Sequence, residues 1–280
     1  MSTVNISAAD VNKLRQQTGA GMMDCRKALM ESEGDFEKAI DYLRKKGQKV
    51  AANRSDREAK EGVVVAKANA QGNYGVVITI SSETDFVAKN QEFIEFANEV
   101  TLIALNNMPT DIDALKALAM GNATVGEKLL EMVAKIGEKI DIARYEQLNA
   151  DTVVSYIHGN YRIGVLVGLN QAENEAVIGA GKDVAMQIAA MKPIAVDAAD
   201  VPAELLEREK AIAIEQIMAE GKPAEMAEKI AAGKMSKFFK ENTLLQQAFV
   251  KDNAKSVGDY LKSVSGGLTV TNFKRVGIGA

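Results

Sequence analysis

Apolar positions in the first 47 residues return every three or four places, the spacing of helices with one buried stripe. Val11 and Leu14 make one stripe, Cys25, Ala28 and Leu29 a second, and Phe36, Ala39, Ile40 and Leu43 a third. Ser7 with Asp10 resembles a capping box ahead of the first helix. Thr18-Gly19-Ala20-Gly21 separates the first pair, and Gly34 with Asp35 stops one helix and caps the next. Three short helices are therefore predicted. Past Leu43 the stripe fades. Arg44 to Glu61 holds seven Lys or Arg against three acids, with Gly47 early in the run, which reads as a solvated linker, helical in part.

From Glu61 onward the period changes from helical to alternating. Val76, Ile78 and Ile80 alternate with their neighbours as in a half-buried strand. The stretch from Glu61 through Gly72-Asn73-Tyr74 to Ile78 is echoed by Asp151 through Gly159-Asn160-Tyr161 to Leu166. Each copy reads as a hairpin with a Gly-Asn-Tyr turn, and each is followed by a helix. The first helix is predicted at 90–107, with Phe93, Phe96, Ala97, Val100 and Ala104 on one face. The second is predicted at 181–191, with Val184, Ala185, Ile188 and Met191, and is stopped by Pro193. Between the copies, Thr124 and Glu127 form a capping box for a helix carrying Leu129, Leu130, Val133 and Ile136, and 140–148 reads as extended.

Residues 200–240 return to helical spacing. Leu205, Leu206, Ala213, Ile214 and Ile217 suit one helix and Met226, Ile230 and Phe238 another, with Gly221-Lys222-Pro223 as the turn. The thin stripe suits an antiparallel pair that projects from the body. Leu268 to Phe273 reads as a strand that completes the second half's sheet. The fold class is thus α+β: a helical domain with a basic linker at 1–54, a first core half at 55–149, a second at 150–199 with 241–280, and an inserted helical hairpin at 200–240.

Composition narrows the function. With 280 residues, 47% hydrophobic and 26% charged, the chain holds enough apolar material for a sizeable core. A net charge of -4 argues against a direct nucleic-acid surface and for a protein or small-molecule partner. Cys25 stands alone, and Met1 to Asn5 lacks the pattern of a secretory signal, so a reducing cytoplasm is expected. Apolar runs such as 163–169 are far too short for a bilayer, and no membrane role is expected. One histidine, His158, and one cysteine leave no donor set for a zinc or haem site. No phosphate loop or complete dinucleotide fingerprint follows a strand. No metal, no cofactor and no catalytic residue is expected.

One feature stands apart. Ser82-Glu83-Thr84-Asp85-Phe86-Val87-Ala88-Lys89-Asn90 sets a carboxylate beside a large aromatic at the corner where a strand gives way to a helix. In one reading Thr84 or Asp85 caps the helix and Phe86 fills the core. In the other the corner projects its side chains outward from a rigid base.

Three patterns coincide: Leu14 to Leu29 with Thr18-Gly-Ala-Gly-Met-Met-Asp-Cys-Arg-Lys, Ser82-Glu-Thr-Asp-Phe-Val-Ala88, and His158-Gly-Asn-Tyr-Arg-Ile-Gly-Val. Together they resemble the elongation factor Ts family, colinearly from about residue 5 to about residue 276. The resemblance implies guanine-nucleotide exchange on elongation factor Tu and an N-terminal unit similar to ubiquitin-associated domains. It implies that Thr84, Asp85, Phe86 and Val87 form a wedge entering the GTPase domain near its phosphate loop and magnesium ion. Met22 and Met23 match a docking contact with the same domain, and His158 matches a contact with the partner's far domain. The hairpin corresponds to the family's coiled-coil subdomain, which mediates self-association in some members, so a homodimer or a heterotetramer with the GTPase is implied.

Two departures stand out. Many members carry Cys or Gln near Ser82 and Glu83, and many continue past the last strand into a helix that touches the GTPase, where this sequence reads Gly277-Ile278-Gly279-Ala280. The alternatives to exchange are a small-ligand enzyme using a cleft between the core halves with His158 as general base, and an adaptor built on the helical unit.

Overall fold

The computed structural model describes residues 6–221 and 223–279. The chain divides into two compact units, one built from the residues up to Val65, Ile78–Tyr145 and the residues from Val276, the other from Ala66–Val77 and Glu146–Arg275.

The first unit opens with three helices, α1 (Ala8–Thr18), α2 (Met22–Glu31) and α3 (Phe36–Asn53). The Ser7/Asp10 capping box is present, and Asp35 caps α3 through the Lys38 N–H. Val11, Leu14, Cys25, Ala28, Leu29, Ala39 and Leu43 form their common core, so the three sequence stripes meet one another. Burial raises the pKa of the Cys25 thiol. The basic run is largely helix: α3 continues to Asn53, because Lys, Arg, Gln and Ala are good helix formers. Its apolar stripe fades because the contact that follows is made by Gly47, whose bare backbone lies against Leu130 and Ala134 of α7 (Val125–Ile136). Several basic residues are paired there, Arg44 with Glu127 at 3.3 Å and Lys46 with Asp24.

Strands β1 (Glu61–Ala68) and β2 (Tyr74–Ser82) follow, then the one-turn helix α4 (Asp85–Ala88), α5 (Gln91–Asn107), α6 (Ile112–Ala117) and a short ribbon of β3 (Ala119–Met120) and β4 (Ala123–Thr124). The Thr124/Glu127 capping box opens α7, and β5 (Asp141–Asn149) comes after it. β1, β2 and β5 pair in the order β1-β2-β5, and the boundary between the two units falls within each of these strands.

In the second unit β6 (Thr152–His158) and β7 (Ile163–Leu169) pair antiparallel, Thr152 opposite Leu169 and His158 opposite Ile163. α8 (Glu175–Met191) packs on both strands. The helix starts six residues before the sequence expectation, because Gly181 is a packing residue inside it. A Cβ at Gly181 would lie 2.5 Å from Val154 Cγ2. The helices α9 (Ala203–Ala219) and α10 (Ala224–Asn242) form a pair with its own core of Ala213, Ile217, Ala227 and Ala231. Met226, assigned to that stripe from spacing, is exposed. Lys222, in the expected turn, lies outside the described residues. A ribbon of β8 (Ala248–Phe249) and β9 (Asp252–Ser256) and helix α11 (Val257–Val264) were not foreseen, and β10 (Val270–Gly277) then completes the order β10-β7-β6 as expected.

The likeness of the two hairpin-and-helix stretches extends to the helix ends. α5 and α8 are both 17 residues long, and asparagines, Asn90 and Asn174, cap them. Both stop at a residue held in the left-handed region, Met108 at φ 50° and Lys192 at φ 51°, with a proline next in sequence. The copies differ in one place. Asn90 lies 16 positions after Tyr74, whereas Asn174 lies 13 after Tyr161. In the first copy the longer connection contains α4.

Candidate partner-binding corner

The longer connection is where the sequence placed its wedge. β2 ends at Ser82, whose fully buried hydroxyl donates to the Thr84 carbonyl at 3.0 Å. Thr84 caps α4, its hydroxyl accepting the Val87 N–H at 3.5 Å. The cap half of the interior reading therefore holds, and its other half does not. Phe86 is 83% exposed, the most exposed large apolar side chain among the described residues. Asp85 shares an ion pair of 2.6 Å with Lys89 one turn on, which holds its carboxyl below the usual carboxylate range. Val87 is half-buried.

Four residues of helix cannot sustain themselves, and the corner is held from outside by a clasp that local sequence does not announce. Glu138 follows the left-handed stop of α7 at Gly137. Its Oε2 accepts the backbone N–H groups of Glu83 and Thr84, both at 3.1 Å, and its Oε1 accepts the Thr84 hydroxyl at 2.7 Å. Glu83 answers in the other direction: its Oε1 accepts the Lys139 N–H at 2.6 Å. The same carboxylate receives Arg54 at 2.8 Å and Arg57 at 3.0 Å from the chain just after α3. Burial pushes the Glu83 pKa up, but the Lys139 N–H and the two guanidiniums outweigh it and bring it down to about 2. Lys139 Nζ closes the ring by donating to the carbonyls of Ser55 and Arg57. Arg54 and Arg57, read from sequence as solvated linker charges, are thus parts of the corner's support.

The docking residues stand on other elements. Met22 and Met23 open α2, 52% and 74% exposed, and neither belongs to the core around Phe36. His158 ends β6 in the second unit, exposed, with Tyr156 Oη 3.0 Å from its Nδ1. Thr84 to Val87 therefore form one turn, Met22 and Met23 one helix start, and His158 a separate strand end. Among the described residues no cluster has the donors of a metal site, and no helix is long and apolar enough to cross a membrane.

The family model for "Elongation factor TS" matches residues 83–280. The chain is 52% identical over 275 residues to elongation factor Ts of Amoebophilus asiaticus, covering 98% of this chain and 99% of that one. It belongs to the elongation factor Ts family. Elongation factor Ts of Christiangramia forsetii is 50% identical and that of Flavobacterium psychrophilum 48%, each matching over 98% of this chain and 99% of its own length. The elongation factor Ts matches to these relatives thus span the helical unit, the corner, both halves and the hairpin.

Proposed function

We propose that the corner Thr84-Asp85-Phe86-Val87 is the element with which this exchange factor opens the nucleotide site of elongation factor Tu. The chain is a guanine-nucleotide exchange factor of translation elongation, working in the cytoplasm, and it is not an enzyme. An exchange factor binds the nucleotide-free partner better than the loaded one, and nucleotide weakens the factor by the same ratio. The observation that carries the reading is Phe86, an aromatic ring left in water on a one-turn helix whose base is clasped. A large exposed apolar side chain on a rigid support has its burial still to gain.

The size of the effect requires further contacts. Speeding release by a factor of roughly 10³ to 10⁵ takes about 4 to 7 kcal/mol, and burying one Phe supplies about 1.5 to 3. The remainder is assigned to docking through Met22 and Met23, whose adjacent thioethers adapt to a partner surface, and through His158 toward the partner's far domain. Asp85 is assigned to the phosphate and magnesium region, where a carboxylate freed from Lys89 competes for the cation's surroundings. The hairpin is assigned to association, with a homodimer or a heterotetramer with the GTPase as the assembly.

The test is release of fluorescent GDP from elongation factor Tu, followed by stopped flow with the parent and with Phe86→Ala. A rate at least tenfold lower at saturating factor is expected. An unchanged rate for a folded Phe86→Ala protein removes Phe86 from the mechanism.

A further inference from the structure

We infer that Glu138 is the positioning residue of the exchange corner: it sets the direction in which Phe86 points without itself meeting the partner. The inference rests on the corner being the exchange element. α4 has one turn, and its cap, the Thr84 hydroxyl, has a single proton. That proton goes to Glu138 Oε1, which leaves the hydroxyl's lone pairs turned toward the Val87 N–H. The two N–H groups that precede α4, those of Glu83 and Thr84, go to Glu138 Oε2. One carboxylate therefore fixes two consecutive peptide planes and the rotor of the cap, all within three residues of Phe86.

The clasp is reciprocal. Glu138 holds the backbone of 83 and 84, and Glu83 holds the backbone of Lys139. Segment 83–84 cannot rotate without breaking bonds on both carboxylates. Because Glu83 also carries Arg54 and Arg57, the corner is braced against the end of α3, the helix whose unit bears Met22 and Met23. Docking of that unit and aim of the ring are thereby linked through one carboxylate pair.

The geometry separates reach from charge. In Glu138→Gln the amide oxygen can still take both N–H groups and the NH₂ can donate to the Thr84 hydroxyl, which has lone pairs to spare. In Glu138→Asp the charge stays but the carboxylate withdraws by about 1.5 Å, one carbon–carbon bond, and loses all three partners. In Glu138→Ala they are lost outright.

GDP release from elongation factor Tu would be measured against factor concentration for the parent, the three Glu138 variants, Phe86→Ala, and Phe86→Ala combined with Glu138→Ala. Far-UV circular dichroism would establish the folded fraction of each. Expected are a fall of at least fivefold in the saturating rate for Glu138→Asp and Glu138→Ala with the half-saturating concentration changed less than twofold, a Glu138→Gln rate within threefold of the parent, and a double variant no slower than Phe86→Ala alone. Should Glu138→Ala fail to fold, the contrast between Asp and Gln decides. A slowed Phe86→Ala beside Glu138 variants that keep the parent rate, or lose only affinity, overturns the positioning role alone. An unslowed Phe86→Ala overturns the corner reading on which it rests.

Discussion

Gly47 of α3 and Leu130 of α7 meet backbone to backbone: a Cβ at Gly47 would stand 2.7 Å from the Leu130 carbonyl oxygen and 3.3 Å from the Ala134 methyl. Glycine in a helix is ordinarily about 1 kcal/mol worse than alanine, so Gly47→Ala on a free helix would stabilise. Here the added methyl forces the helices apart at a cost of about 1 to 3 kcal/mol. A net loss of stability is expected in urea unfolding. A gain would show that α3 yields at this point and that the crossing does not depend on the missing side chain.

Phe86 and Phe93 lie seven residues apart and in opposite environments, 83% and 0% exposed. Phe93→Ala is expected to cost about 3 to 5 kcal/mol, whereas Phe86→Ala is expected to change unfolding free energy by less than about 0.5. Equal losses in chemical denaturation would mean that Phe86 packs on its own chain in solution.

The Glu83 carboxylate adds a pH dependence. Its folded pKa, about 2, lies below the ordinary 4.5, so the stability it contributes is fully present above pH 4.5 and is lost as pH falls toward 2. Glu83→Gln should flatten that acid limb relative to the parent when unfolding free energy is followed from pH 6 to pH 2. Superimposable slopes would mean that the Arg54 and Arg57 pairs do not hold the charge in solution.

Met22 and Met23 are exposed at the start of α2. Their joint replacement by alanine is expected to leave the thermal midpoint within about 2 °C, as surface changes do, while raising several-fold the factor concentration that half-saturates GDP release. A loss in the saturating rate with no change in half-saturation would place them in the exchange step and not in docking.

α9 and α10 have a seam of their own, with Ala213, Ile217, Ala227 and Ala231 at its centre. Exchanging residues 206–234 for a short Gly-Ser linker is expected to leave a folded protein that still releases GDP but sediments differently where the parent self-associates. A product without cooperative unfolding would show that the pair is required by the rest of the fold.

Where a feature is local, the sequence was a good guide, and where it depends on an approach between distant segments it was not. The caps at Ser7, Asp35 and Thr124 are each made within three residues, and each was legible. α11 carries a comparable signal, Ser256 accepting the Asp259 N–H, and was missed because its apolar stripe is so short. The start of α8 was misplaced because Gly181 looks like an interruption until Val154 is seen against it. The corner was found from its pairing of acid and aromatic, and the outward direction of Phe86 was one of two open readings. Its clasp was invisible: Glu138 is 54 residues from Thr84, and nothing in the run Ile136-Gly137-Glu138-Lys139 distinguishes that carboxylate from a solvated one.

The three-residue difference between the halves makes the second a blank cut from the same stock as the first. Its hairpin, 17-residue helix, asparagine cap and left-handed stop show what the strand-to-helix joint looks like with no tooth on it. Shortening 83–90 to the length of 170–174 is thus a design that the chain already carries, eighty-odd residues downstream of the first copy.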